Sequence, residues 1–229
     1  MLSLPDLTSP QWRIAITGGI ASGKSYICSR LEAAGHRVFN CDKEAKHIIR
    51  HDPDVRSALT RLVGPTLYDA DGRLVKPVLA AYLCHGSAQA HRVDAIVHPR
   101  VAQAFRDHCH ALPSLPIDPD GLAARQRLLR LIQAAPQLPA VVTADCLAAL
   151  PPGHTVFMEC ALLYEAGFDA LTHLATVVHV SPEVQQRRLI SRDHISPEKA
   201  AGWIALQLSE NERLQRAALR IDNDADLDF

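Results

Sequence analysis

Residues 18–25 read Gly-Gly-Ile-Ala-Ser-Gly-Lys-Ser and fill every position of the pattern G-x-x-x-x-G-K-[ST]. The chemistry open to such a segment is phosphate binding. Gly18 and Gly23 let the backbone turn tightly and approach phosphate oxygens with no Cβ in the way. Successive amide N–H groups, through Gly19, Ala21 and Ser22, then form a concave anion site. The start of a following helix adds its partial positive charge. Lys24 is placed to reach the β- and γ-phosphates, Ser25 is the expected Mg²⁺ ligand, and Tyr26 closes the run of candidate nucleotide-binding residues. The bland alternative is a glycine turn that happens to precede a helix.

A loop of this kind works between a strand and a helix, and the flanking residues supply both. Trp12–Thr17 is a short apolar run of strand character, and Tyr26 to Ala34 continues as a helix with Gly35 at its C-terminal cap. Residues 36–40 predict a second strand, followed by Asp42 and a helix to about Arg50. From 53 to 110 the pattern is helical, with breaks at Gly64-Pro65, Asp71-Gly72 and Pro77, and Asp52-Pro53 starts the first of these helices. Asp69 to Gly72 reads as a plain turn rather than a calcium loop. Residues 111–154 are punctuated by proline around a basic helix. Its Leu128, Leu131, Ile132 and Ala135 share one face, and its Arg125, Arg127 and Arg130 are expected in solvent.

Strands are expected again at 155–159, at 174–180 and near Arg220-Ile221. Ser181-Pro182-Glu183 and Ser196-Pro197-Glu198 each open a helix, the second running to about Leu219. Residues 1–11 and the acidic end (Asp222, Asp224, Asp226, Asp228) read as poorly ordered. Strands separated by helices predict an α/β fold, a three-layer sandwich of the phosphate-loop NTPase type. Its mostly parallel sheet would have helices on both faces, with helical acceptor-binding and lid regions added. The organisation expected is one domain over 1–229. Its core spans about 12–52 and 155–223, its acceptor-binding region about 53–110, an insertion about 111–154 and a lid about 187–200.

Composition narrows the class. The chain has 229 residues, 48% hydrophobic, and a formal net charge of −1, which suffices for a large core and gives no nucleic-acid surface. Its six cysteines include no C-x-x-C pair, and neither a signal peptide nor a membrane-spanning run is visible. Reduced thiols in a cytoplasmic protein are expected, with no membrane partner; oligomeric state is not readable.

A phosphate loop does not by itself separate kinases from GTPases or motor ATPases. The short chain, the missing N-K-x-D guanine-reading pattern and the acid Asp42 favour a small-molecule kinase. In a parallel sheet, Asp42 would share the ligand-binding rim with residues 18–25, where a carboxylate can accept a proton or help hold Mg²⁺. Its alternative role is that of N-cap to the helix at 43–50.

Residues 17–25, Thr-Gly-Gly-Ile-Ala-Ser-Gly-Lys-Ser, resemble the dephospho-CoA kinase signature T-G-G-I-G-S-G-K-S. Further pieces follow in that family's order. Val38 to Asp42 is similar to V-I-D-A-D, Asp71 to Leu74 to D-G-x-L, and Ile96 to Pro99 to I-x-H-P. Leu162 to Glu165 is similar to L-L-[FY]-E, Gln185 to Arg188 to Q-x-x-R, and Arg192-Asp193 to R-D. Gln207 stands for the closing Q, and Ile221-Asp222-Asn223 for I-x-N. The resemblance covers about residues 12–110 and 155–223. It implies ATP-dependent phosphorylation of the ribose 3′-hydroxyl of dephospho-CoA, giving coenzyme A. By position it implies Asp42 as base, Lys24 and the loop as phosphate binders, and Arg188 and Arg192 as lid cations. It also implies Asn223 near adenine, with turn formation as the alternative. Arg188 and Arg192 can instead be an exposed helix face; His98 reads rather as a structural helix residue, and Glu165 as an acceptor-site support or an ordinary surface acid.

Five positions depart from the pattern. Ala21 replaces a loop glycine, Asn40 an aspartate, Lys76-Pro77 the frequent D-R, and Ala161 a proline. Two other readings therefore stand beside the first: a related nucleoside or nucleotide kinase, and a nucleotide-binding regulatory paralogue with weakened turnover.

Overall fold

The computed structural model describes residues 4–111, 116–135, 137 and 139–225. Asp226 and Asp228 of the acidic end, and Pro113 and Pro136 of the proline-rich stretch, lie outside them. The chain divides into two compact units, Met1–Phe39 with Leu112–Phe229, and Asn40–Ala111.

The first unit is built on a single six-stranded parallel sheet in the order β2-β4-β1-β5-β6-β3. Its strands are β1 (Trp12–Thr17), β2 (Arg37–Asn40), β3 (Ala140–Val141), β4 (Thr155–Glu159), β5 (Leu174–His179) and β6 (Leu219–Asp222). Alternate residues of β1 explain why it lies at the centre. Trp12, Ile14 and Ile16 join a core with Ile27, Leu31, Leu128, Ile132 and Leu147 from helices α1 (Lys24–Ala33), α6 (Pro119–Ala134) and α7 (Ala144–Ala148). On the opposite face Ala15, Met158 and Val177 are also buried. Burial on both faces explains the near-continuous apolar runs of β4 and β5.

Helix α1 ends as the glycine predicted. The Gly35 N–H donates to the Glu32 carbonyl (2.9 Å) and the His36 N–H to the Leu31 carbonyl (3.0 Å), with Gly35 at φ 89°. That paired arrangement needs a left-handed residue, which glycine adopts without Cβ strain.

The expected insertion at 111–154 is partly core. Leu128, Leu129 and Ile132 of α6 pack under the sheet, and β3 extends it beyond β6. The two residues of β3 are too few to leave a periodic strand signal in the sequence. Arg125 was expected in solvent and is instead completely buried. Its guanidinium donates to the carbonyls of Leu7 (2.8 Å), Ser9 (2.6 Å) and His154 (2.9 Å) and lies over the Trp12 ring. Burial pulls its pKa down to about 10, and three carbonyl dipoles with one aromatic face take the place of water. The same contacts correct the expectation for the leading segment. Residues 4–11 are tied down by Arg125, by the Trp12 indole donating to the Asp6 carbonyl (2.8 Å), and by His154 at 3.0 Å from the Pro10 carbonyl.

The second unit is helical: α2 (Cys41–His51), α3 (Pro53–Val63), α4 (Lys76–Leu83) and α5 (Ser87–His110). Ile48, Val55, Leu59, Leu67, Val93, Val97, Val101 and Phe105 are among its buried residues. Asp52 caps α3 as predicted, accepting from the N–H groups of Asp54 (2.9 Å) and Val55 (3.0 Å). Asp69 organises its turn by accepting from the Arg73 N–H at 2.7 Å.

The last helical stretch differs from expectation. Helix α8 spans Pro182–Asp193, but the helix opened by Ser196 stops early, as α9 (Pro197–Ala205), and α10 (Glu210–Arg216) restarts it. Ser209 and Glu212 form a reciprocal capping box that fixes the restart. Ser181 occupies the N-cap position of α8, but its hydroxyl makes no capping bond; its N–H donates to Asp224 instead (2.7 Å).

Replacing Arg125 with Ala should remove three charge-assisted bonds and strand three buried carbonyls. A loss of about 3 kcal/mol is expected, read as a lower denaturation midpoint in urea. A change below about 0.5 kcal/mol would mean that water satisfies those carbonyls equally well.

Candidate active site: a phosphate loop braced from a distance

The loop leaves the end of β1 and enters α1 at Lys24. Gly18 has φ 149° and Gly23, the N-cap of α1, has φ 91°. A Cβ on Gly18 would stand 2.5 Å from the Val178 carbonyl oxygen, so only glycine lets β1 pass β5 here. Ala21 also takes the left-handed conformation, at φ 59°. It stands where the resembled signature has glycine, and the geometry shows why: the backbone position asks for positive φ, at a cost of about 1–2 kcal/mol to alanine.

The loop's polar backbone is held by side chains remote in sequence. The Ile20 peptide is gripped at both ends: its N–H donates to Gln207 Oε1 (2.7 Å), and its carbonyl accepts from Gln185 Nε2 (2.9 Å). Asn223, itself buried, donates from Nδ2 to the Ser22 carbonyl (2.8 Å). Arg188 is buried beneath this brace and donates to the Asn223 carbonyl (2.9 Å). Arg192 lies exposed further along α8 and pairs with its neighbour Asp193 (2.8 Å). Gln185, Gln207, Arg188 and Asn223 thus come together behind the loop. Arg192 does not join them, and Tyr26 is exposed on α1.

Lys24 is half-buried, with Nζ donating to the carbonyls of Gly18 and Gly19, both at 2.9 Å. Burial pulls its pKa down to about 8; Glu159 works against that shift and Arg213 adds to it. Ser25 Oγ donates to Glu159 Oε1 at 2.7 Å, and Glu159, the last residue of β4, is buried. Glu159 was missed in the sequence, where its signal was available: a lone acid ending a strand that is otherwise buried throughout.

Several features suit this loop to a nucleotide polyphosphate. They are the Lys24 cation, the left-handed loop backbone, and the buried Ser22 hydroxyl, which has no protein partner among the described residues. Ser25 and Glu159 offer adjacent oxygens of the kind Mg²⁺ accepts.

Glu165 accepts from the Leu208 N–H (3.2 Å), and Tyr164 is buried under the Arg216 guanidinium, which lies 4.1 Å from its ring centre. The Leu-Leu-Tyr-Glu segment therefore fastens α10. In the helical unit, Asp42 lies in the first turn of α2, exposed and paired with Lys46. The N-cap is not Asp42 but Asn40, whose side chain accepts from the Lys43 N–H at 2.8 Å. His98 lies half-buried on α5, 3.5 Å from Asp94.

Two measurements probe the loop. Ala21→Gly should raise the urea midpoint and Ala21→Val lower it, each by about 1 kcal/mol in equivalent stability, because only glycine takes positive φ freely. Equal effects of both would contradict the left-handed assignment. Lys24 has a folded pKa below its unfolded value, so the unfolded chain binds more protons between pH 8 and 10.5. Without nucleotide, wild type should therefore gain stability relative to Lys24→Met by up to about 3 kcal/mol as pH rises through that window. A difference that is flat in pH would mean that Lys24 is hydrated.

Comparison with known proteins agrees with the geometry. The family model for dephospho-CoA kinase matches residues 12–117 and 130–228, passing over the N-cap and first part of α6. A dephospho-CoA kinase of Bacteroides fragilis is 31% identical over 93% of this chain and 85% of its own length. That of Salinibacter ruber is 31% identical over 93% and 89%. Among solved structures, a Thermus thermophilus protein superposes with a TM-score of 0.64 at 25% identity, covering 94% of this chain and 90% of its own. A Campylobacter jejuni dephospho-CoA kinase shares the fold, with a TM-score of 0.56 at 16% identity over 93% and 89%. With its motifs in order and nearly its whole length matched, this chain belongs to the dephospho-CoA kinase family.

Proposed function

We propose that the protein transfers the terminal phosphoryl group of ATP to the ribose 3′-hydroxyl of dephospho-CoA, giving coenzyme A and ADP. The observation that carries this reading is the match of nearly the whole chain to the family, with Lys24, Ser25 and Glu159 gathered at its phosphate loop.

Phosphoryl transfer needs alignment and charge stabilisation more than covalent help from the protein. The amides of Gly18–Ser25 and the Lys24 ammonium hold the phosphates of ATP and offset charge as it moves toward the leaving group. Ser25 and Glu159 would hold Mg²⁺, which supplies further charge neutralisation when bound. Asp42 takes the proton of the 3′-hydroxyl as that oxygen bonds to the γ-phosphorus. The bond from that phosphorus to the β,γ-bridging oxygen breaks, and ADP leaves with the electron pair. The support for Asp42 is its exposed carboxylate, its place in the sequence two residues after the end of β2, and the resembled motif to which it belongs. Arg188 acts in this reading by positioning Asn223, and Arg192 as the lid cation.

The departures from the family pattern are compatible with turnover. Asn40 caps α2 as well as aspartate would, and Ala21 adopts the glycine conformation at a modest cost. Free thiols at all six cysteines and ATP as donor suit a cytoplasmic setting. Among the described residues no helix is long and apolar enough to cross a membrane.

A coupled ADP-release assay with Mg-ATP tests the assignment, with dephospho-CoA, adenosine, pantetheine phosphate or no acceptor. ADP release with dephospho-CoA alone, accompanied by coenzyme A, is expected; turnover with none of them, despite ATP binding, would favour a regulatory role. Asp42→Asn should lower kcat at least ~10²-fold with ATP affinity retained, and an unchanged kcat would remove Asp42 as proton acceptor.

A further inference from the structure

Arg213, in α10, was singled out by no motif. Its side chain is buried at 4% exposure, yet among the described residues no carboxylate pairs with it. One guanidinium nitrogen, Nη1, donates to the Leu208 carbonyl, and Nε has no partner among the described residues. The other terminal nitrogen, Nη2, reaches the phosphate loop and lies 3.1 Å from where a Cβ on Gly19 would stand. Burial holds the Arg213 pKa below its usual value, and Arg213 in turn helps to depress that of Lys24. The buried Arg213 guanidinium and the half-buried Lys24 ammonium thus converge on Gly19, whose carbonyl already accepts from Lys24.

The nearest acids are engaged elsewhere. Glu210 lies 2.6 Å from His179 Nδ1, and Glu165 accepts from the Leu208 N–H. Helix α10 is also firmly seated. His179 holds its first turn, and Arg216 pairs with Asp169 (3.0 Å) at its last. An arginine placed this way is under-neutralised and pre-aimed, the state in which a guanidinium binds phosphate oxygens well.

We infer that Arg213 is a second phosphate-binding cation of the loop, gripping the terminal phosphoryl of the nucleotide beside Lys24. The end of the loop follows from Lys24. In loops of this pattern the lysine reaches the β- and γ-phosphates, and here its ammonium sits on Gly18 and Gly19. Arg213 approaches that same end. The inference rests on the kinase reading above and adds to it a cation supplied from outside the loop and the lid.

The test measures Mg-ATP and Mg-ADP affinities of full-length wild type, Arg213→Gln and Arg213→Lys by calorimetry, with no acceptor present. Arg213→Gln should weaken ATP at least ~10-fold and ADP less than ~3-fold, as expected for losing a charge-assisted bond to the γ-phosphate alone. Arg213→Lys should recover part of the loss. It also carries the same ATP-against-ADP comparison if the glutamine variant fails to fold by circular dichroism. In the acceptor assay, kcat of Arg213→Gln should fall at least ~10²-fold with the KM for dephospho-CoA within ~3-fold of wild type. Equal loss of ATP and ADP would overturn the proposal, showing that Arg213 only shapes the loop through Gly19. Unchanged affinities for both would overturn it as well. The binding arms contain no acceptor, so a wild type that ignores dephospho-CoA would sink the substrate assignment while leaving the result for Arg213 legible.

Discussion

A phosphate loop must satisfy its own backbone without filling the face that it offers to the anion, and much of the sheet unit serves that constraint. The Ile20 peptide is clamped by Gln185 from α8 and Gln207 from the break between α9 and α10, while Asn223 after β6 holds the Ser22 carbonyl. All three supports come from the C-terminal third of the chain. The interrupted helix acquires a purpose here: an unbroken one through Gln207 would carry that side chain on a helical surface instead of at a joint. Arg188, two layers back, holds Asn223 in turn. The loop is thereby preorganised, so little ordering cost falls on nucleotide binding.

Charge is distributed on the same plan. Burying Lys24 disfavours its protonated form, and the two loop carbonyls with Glu159 offset that penalty only in part. Arg125 is the contrasting case in the same unit. It is more deeply buried, but three carbonyls and a tryptophan ring surround its guanidinium, so it stabilises structure. Arg125 and Arg213 both leave Nε without a partner among the described residues; what differs is that both terminal nitrogens of Arg125 are taken by carbonyls, while Arg213 Nη2 faces the phosphate loop.

Features set by near neighbours in sequence were legible beforehand. The strand–loop–helix around residues 18–25, the Asp52-Pro53 cap, the Gly35 terminus and the strands at 155–159 and 174–179 all depend on residues within a few positions of each other. What was not legible depends on partners far away. The basic helix gave no sign that Arg125 turns inward, because its acceptors lie at residues 7, 9 and 154. Gln185 and Gln207 were visible as members of motifs, but not as the two ends of one clamp. The capping box at Ser209 was local and readable, yet it was overlooked because the helical pattern continues across it.

The sheet order also has a consequence for the order of synthesis. β1 is the first strand made, and both its neighbours, β4 and β5, lie more than a hundred residues downstream. At ordinary ribosomal rates that gap lasts on the order of ten seconds. Throughout it an apolar strand and a glycine-rich loop wait outside the ribosome without a sheet to join. The helices of 40–111 emerge in that interval, and their mutual contacts all lie within that stretch, so they can close before β4 and β5 are made. The phosphate loop therefore gains its frame late, only once β4 and β5 have been made.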